Sequence, residues 1–320
     1  MSINYRPNNS FIFCYVRMNP PTPGHLILIG KMIDHAVETG SDQIFVITSS
    51  TMDGKNPVPC SDSTLPKPKT KADLGILSSI TSSSELIYKS SVLNNMIESY
   101  RQQLIDKETE PSKKSHIQSL IINVICSVGS PFGTINGLIQ QNFIDKGITD
   151  INLFFVVGRD RADFFDTIIN NYKDKDFIDS VDGDLLGREG MAKLKSNCTE
   201  IRDISEINPE QYSASFIRCL VNYNMKHLFE QVYSDYLSPE EIDRLYKTIK
   251  LGLQLKPPSA KSEDDNPPTK YFMEDPENPG TYLKRGIPRI NPKTGGKRYK
   301  RKSRNNKSKR NKRKTRSYKK

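Results

Sequence analysis

The sequence predicts an α/β fold: a parallel sheet with helices on both faces, followed by a helical C-terminal extension. Two observations carry the prediction. Short runs of β-branched and aromatic residues alternate with stretches of helical periodicity, the order that builds a parallel sheet under helical cover. Those runs are apolar throughout rather than every second residue, as expected of strands buried on both faces.

Phe11 to Val16 (FIFCYV) reads as the first strand, and a Pro-rich turn follows it. Leu26, Ile29, Ile33, Ala36 and Val37 fall at helical spacing, and Gly40 is a suitable stop. Gln43 to Ile47 is the second strand, which completes a βαβ unit and makes the fold Rossmann-like. Residues 51–70, with four prolines among small polar residues, read as a long loop or insertion. Helices are expected over Lys71–Ile80 and Glu85–Ile105, with Asp106–Ser115 as a surface connection. Leu120–Cys126 is the third strand, the stretch from Ile135 to Phe143 a helix, Ile151–Val157 the fourth strand, and Thr199–Ile204 a short fifth strand. Helices then start at Ser213, Met225 and Pro239, the last with Ser238 and Glu241 as a capping box. The expected organisation is a leader at 1–10, a core at 11–236, a C-terminal helix at 237–255, a linker at 256–296 and a disordered basic tail at 297–320.

Charge is divided along this plan. The net charge is +11, but Lys297–Lys320 holds 15 lysines and arginines and no acid, which leaves residues 1–296 at −4 by difference. The basicity therefore belongs to a tail suited to contact with nucleic acid or to nuclear import. No run approaches the roughly 20 apolar residues of a membrane span, and Met1–Ser10 lacks the apolar core of a signal peptide. The chain is therefore expected to be soluble and cytoplasmic, with a nuclear location open to it through the tail. The five cysteines include no C-x-x-C pair and show no metal-ligand spacing with the four histidines. They are read as free thiols, and no protein metal site is expected.

Two segments carry chemistry. Asn19-Pro20-Pro21-Thr22-Pro23-Gly24-His25 lies between the first strand and the first helix, where amide N–H groups and the positive helix end receive anions. Gly24 allows close backbone approach. Thr22 and His25 supply donors for a phosphate oxygen. Tyr212-Ser213-Ala214-Ser215-Phe216-Ile217-Arg218 offers a capped helix start and, one turn in, a planar guanidinium suited to pyrophosphate.

The first segment resembles the T-x-G-H phosphate signature of the nucleotidylyltransferase, or cytidylyltransferase-like, superfamily, and the second its S-x-S-x-x-R element. Gly158-Arg159-Asp160-Arg161 and Lys55-Asn56-Pro57 are similar to the G-x-D-R and K-N-P elements of its phage and large-virus members, a source that the Lys- and Asn-rich composition would also suit. The lysine that follows K-N-P is placed at Lys71. The resemblance covers roughly Phe11 to Asn222. It implies transfer of a nucleotidyl group, AMP favoured over CMP, from a nucleoside triphosphate to a small phosphorylated acceptor, with release of pyrophosphate. His25, Thr22 and Arg218 would be catalytic. Gly24, Asn19, Pro20, Gly158, Asp160, Ser213 and Ser215 would bind nucleotide, and Mg²⁺ would be carried mainly by substrate phosphates. The alternative is a core that binds nucleotide but has lost catalysis, joined to a nucleic-acid-binding tail. A class I aminoacyl-tRNA synthetase is disfavoured, because no Lys-Met-Ser-Lys loop is present.

Overall fold

A computed structural model describes residues 9–62, 65, 71–82, 85–187 and 198–255, and the backbone at 272–274 and 282–284. The expected leader, apart from residues 9 and 10, the basic tail and most of the linker lie outside the described residues. The chain divides into two units, Met1–Ala260 and Lys261–Lys320.

The first unit is built on five parallel strands: β1 (Ser10–Val16), β2 (Gln43–Ser49), β3 (Ile121–Ser127), β4 (Ile151–Gly158) and β5 (Ile178–Leu186). Their order is β3-β2-β1-β4-β5. The order reverses between β1 and β4, so the crevice beyond their carboxyl ends is where such a sheet binds ligands.

The apolar strands serve two cores. Ile12, Cys14 and Val16 of β1 face one core, and Phe11, Phe13 and Tyr15 face the other. This is the period-2 alternation of a strand buried on both sides. The first face is covered by α1 (Pro23–Thr39), α3 (Lys89–Lys107) and three C-terminal helices, α7 (Ala214–Asn222), α8 (Lys226–Tyr233) and α9 (Pro239–Gly252). The second face is covered by α5 (Pro131–Asn142) and α6 (Ala162–Tyr172). There Phe11 packs on Phe45 at 5.0 Å and edge-on against Phe143 at 5.8 Å between ring centroids. Helices α2 (Lys71–Ser82) and α4 (Pro111–Ser119) complete the unit.

Helix ends follow the residues that allow them. Gly40 closes α1 with φ 71°, where glycine carries no Cβ penalty. Ser238 and Glu241 form the expected capping box of α9.

Three expectations are corrected. The fifth strand is Ile178–Leu186, not Thr199–Ile204, whose residues form turns and irregular chain. Its sequence, IDSVDGDLL, carries three aspartates and a glycine because it is a half-exposed edge strand paired only with β4. The connection at Asp106–Ser115 contains the start of α4, which Pro111 opens from its first turn. The linker holds a short antiparallel pair, β6 (Phe272–Glu274) with β7 (Tyr282–Lys284), in the second unit.

The cysteine reading is also corrected. Cys60 is bonded to Cys126 and Cys198 to Cys219, with Cα separations of 5.9 and 6.4 Å, inside the usual disulfide range. The partners are 66 and 21 residues apart, so no local spacing announces them. Cys14 alone is free, and burial pushes its thiol up to about 12, which keeps it inert. Among the described residues, no helix is long and apolar enough to cross a membrane.

Candidate active site

A half-open cavity of about 270 Å³ lies at the carboxyl ends of β1 and β4. Val16 and Arg17 bring it the end of β1, Gly158 the end of β4, and Leu186 the end of β5. Gly24, His25, Ile27 and Leu28 come from the first turns of α1, and Ser213, Ala214, Ser215 and Arg218 from the start of α7. Lys55 and Asn56 reach it from the loop after β2, and Arg161 from the turn after β4. The two sequence segments, almost 200 residues apart, therefore share one cavity.

Several hydrogen bonds bind them to each other. The Thr22 hydroxyl donates to the Tyr212 carbonyl at 2.6 Å. Arg218 Nη1 donates to the Asn19 carbonyl at 2.7 Å, and its Nη2 to Ser215 Oγ at 3.0 Å. Buried Tyr233 donates its hydroxyl to the Pro21 carbonyl at 2.6 Å. Just before this loop, Met18 holds a φ of 42°. This left-handed conformation is costly for a residue with a side chain and is typical of functional turns.

The loop also holds its histidine. The Thr22 amide N–H donates to His25 Nδ1 at 3.0 Å. The Thr22 hydroxyl oxygen lies 2.9 Å from the same nitrogen, so two contacts from one residue hold the ring in place. His25 is buried and lines the cavity, so its imidazole is oriented before any ligand arrives.

On the opposite wall, Ser213 Oγ accepts from the Phe216 amide at 3.1 Å and caps α7. Its hydroxyl proton remains for another acceptor. Burial lowers the pKa of Arg218; the carboxylate of Asp53 opposes this and the charge of Arg17 adds to it. The guanidinium stays charged regardless.

Of the sequence-predicted residues, Asn19, Gly24, His25, Gly158, Ser213, Ser215 and Arg218 line the cavity. Thr22 and Pro20 are buried behind it and are absent from its lining. The Thr22 hydroxyl proton is already given to Tyr212, so Thr22 holds the loop rather than a phosphate. Asn19 has a comparable structural role. Its amide group both donates to the Val58 carbonyl, at 2.8 Å, and accepts from the Val58 N–H, at 2.9 Å. The side chain of Asp160 lies outside the described residues. Lys71 is exposed at the start of α2 and does not reach the cavity.

Sequence reasoning missed Arg17 and Lys89. Arg17 had a legible signal, since it is the first residue after a predicted central strand. Lys89 had none: it opens a helix, yet it is fully buried, with Nζ donating to the carbonyls of Arg17 and Ser49. Among the described residues, no group of three His, Cys, Asp or Glu side chains is placed to hold a metal. The cavity wall is instead cationic, with Arg17, Lys55, Arg161 and Arg218. No protein-family model matches the chain, and no curated protein matches it.

Proposed function

We propose that the cavity binds a nucleoside triphosphate and that the protein is a nucleotidyltransferase. One observation carries the reading. A preoriented imidazole, a capped helix start with two serine hydroxyls, and four cationic side chains converge on one crevice at the switch point of a parallel sheet. Such a wall is complementary to several adjacent negative charges.

In this reading an oxygen of the acceptor's phosphate forms a bond to the α-phosphorus. The bond from that phosphorus to the bridging oxygen breaks, and pyrophosphate leaves with the electron pair. No covalent enzyme intermediate is required. The His25 imidazole donates to the phosphate on which charge develops. Ser213, Ser215 and Arg218 hold the leaving pyrophosphate, and Gly24 keeps the helix start open to the ligand. Positioning and charge stabilisation account for the rate. A Mg²⁺ ion carried mainly by the substrate phosphates would supply charge neutralisation. The resemblance of Gly158 to Arg161 and of Thr22 to His25 to adenylyl-transferring relatives favours AMP over CMP as the group moved.

The test is pyrophosphate release with Mg²⁺ and either ATP or CTP, across a panel of mononucleotides and phosphorylated alcohols and sugars. Release is expected to need one acceptor. It is expected to fall by about two to three orders of magnitude in His25→Ala, as on loss of a single transition-state donor. A folded protein that binds triphosphate but releases nothing with any acceptor would overturn the reading and leave a nucleotide-binding, catalytically degenerate core.

A further inference from the structure

Strand β3 is an edge of the sheet, paired with β2 on one side and with no described residue on the other. Its register with β2 is unbroken from Ile121 to Ser127, so no bulge bends it away. The Ile121 N–H donates to the Asp42 carbonyl, and the Ser127 carbonyl accepts from the Ser50 N–H, both at 2.9 Å. These two residues turn their backbone groups inward, toward β2 and its flanks. By the alternation of a strand, Ile122, Val124 and Cys126 turn theirs outward.

The two edges of the sheet differ. The other edge, β5, carries Asp179, Asp182 and Asp184, charges of the kind that keep edges from pairing. β3 carries neither charge nor proline. It lies in the longest run of the chain without a charged residue or histidine, residues 117–144, which is 28 residues long against 11 for the next, residues 74–84. Of these 28 residues, 22 are exposed or half-buried. Ile121 and Val128, at one end of β3 and just past the other, are 56% and 70% exposed. Helix α5 continues the surface, tied to β3 by the hydroxyls of Ser127 and Thr134 at 2.8 Å. Its exposed side holds Gly133, Asn136, Gly137, Gln140 and Gln141. Nothing within the described chain requires the two glycines. A Cβ on Gly137 would meet nothing within 4 Å, and one on Gly133 only the Ser130 Cβ at 3.9 Å. Glycine weakens a helix relative to alanine, so this pair, one turn apart, fits close approach by something outside the chain. Charge depletion marks the centre of protein interfaces, and the patch matches the roughly 20–30 residues that each side of a stable interface engages.

We propose that β3 and α5 form the interface of a homodimer, in which β3 pairs antiparallel with β3 of a second copy about a twofold axis at Val124 and joins the two sheets into one. Two arguments select a second copy over a different chain. The edge is complementary to itself. About Val124, Ile122 lies opposite Cys126 and Val124 opposite Val124, and these are the residues with outward backbone groups, so each pair exchanges both of its N–H···O=C bonds. An identical copy also brings identical charges. Residues 1–296 sum to −4, and an uncharged patch meets its own copy without setting like charges opposite each other. The same twofold keeps both copies of α5 on one side of the joined sheet, where their glycines allow close approach. The inference does not depend on the reading of the cavity.

The experiment is sedimentation equilibrium of the full chain, freed of nucleic acid and in about 0.5 M salt to screen the basic tail. Wild type is expected at twice the chain mass at micromolar concentration. Ile121→Lys places a charge in the interface at a position already in solvent. Val124→Pro removes an outward N–H and no bond to β2. Each is expected to weaken the dimer at least about tenfold, as for a charge or a lost pairing group buried in an interface, with the circular dichroism of the folded chain retained. Tyr223→Lys, at a 59% exposed side chain outside the patch, is expected to leave the dimer intact. A wild type that stays monomeric at about 100 μM, near the weak limit of specific association, would overturn the proposal. So would a dimer that survives both edge variants, or one that Tyr223→Lys weakens as much as Ile121→Lys does. If Val124→Pro unfolds, Ile121→Lys decides alone.

Discussion

His25 and Thr22 are three residues apart and divide the work of their loop. His25 lines the cavity; Thr22 ties the loop to Tyr212 and holds the imidazole Nδ1 through its amide and hydroxyl. Thr22→Val is therefore expected to cost about 1–3 kcal/mol of stability through a buried carbonyl left without its donor. It should also reduce pyrophosphate release less than His25→Ala; urea unfolding read beside the transfer assay separates the two effects. Lys89 makes a second prediction at this scale. Its pKa is about 7 when folded, against an ordinary value of 10.5, so between these values the unfolded chain binds more protons. The penalty for burying its charge is then complete below pH 7 and is relieved as pH rises toward 10.5. Urea midpoints measured between pH 7 and 9.5 should show this rising contribution in wild type and lack it in Lys89→Met.

The loop that carries Lys55 is fixed from outside by α9. A Cβ on Gly252 would sit 2.0 Å from the Pro57 carbonyl oxygen, and one on Gly54 would sit 2.5 Å from that of Leu255. Gly252→Ala is expected to push the loop aside, at a cost of about 1–3 kcal/mol as in other overpacked sites. It should also weaken ATP binding, which calorimetry on the folded variant would reveal; unchanged affinity would separate the loop from the site. The helix that looks like an appendage in the sequence is thus a buttress of the candidate site. What the sequence made legible follows the same logic. Continuous apolar runs marked the central strands, and the serine and glutamate of α9 marked its cap, because those signals are local. The edge strand β5 offers no continuous apolar run, since exposure on one side allows aspartates. The burial of Lys89 and the partners of the cysteines are set by contacts distant in sequence, which no local pattern encodes. At the site, helix-start chemistry made His25 and Ser213 legible, whereas the structural roles of Thr22 and Asn19 depend on Tyr212 and Val58.

At the scale of the molecule, the chain joins a slightly acidic body to a strongly basic tail. Deleting residues 297–320 is expected to leave the thermal midpoint and ATP affinity of the protein unchanged and to remove any salt-dependent binding to duplex DNA or RNA. Calorimetry and filter binding at several ionic strengths test both. Alkylation of denatured, unreduced protein is expected to label Cys14 alone, and all five cysteines after reduction, as read by mass. The hydrogen bonds that close the cavity, Thr22 to Tyr212, Arg218 to Asn19 and Tyr233 to Pro21, span 190, 199 and 212 residues. On a ribosome adding about 5–20 residues per second, the T-P-G-H helix start waits on the order of ten seconds or more for the residues that will hold it. Chains released early, before Tyr212, would carry the first motif without its anchors, so the cavity is complete only once translation has run past α8.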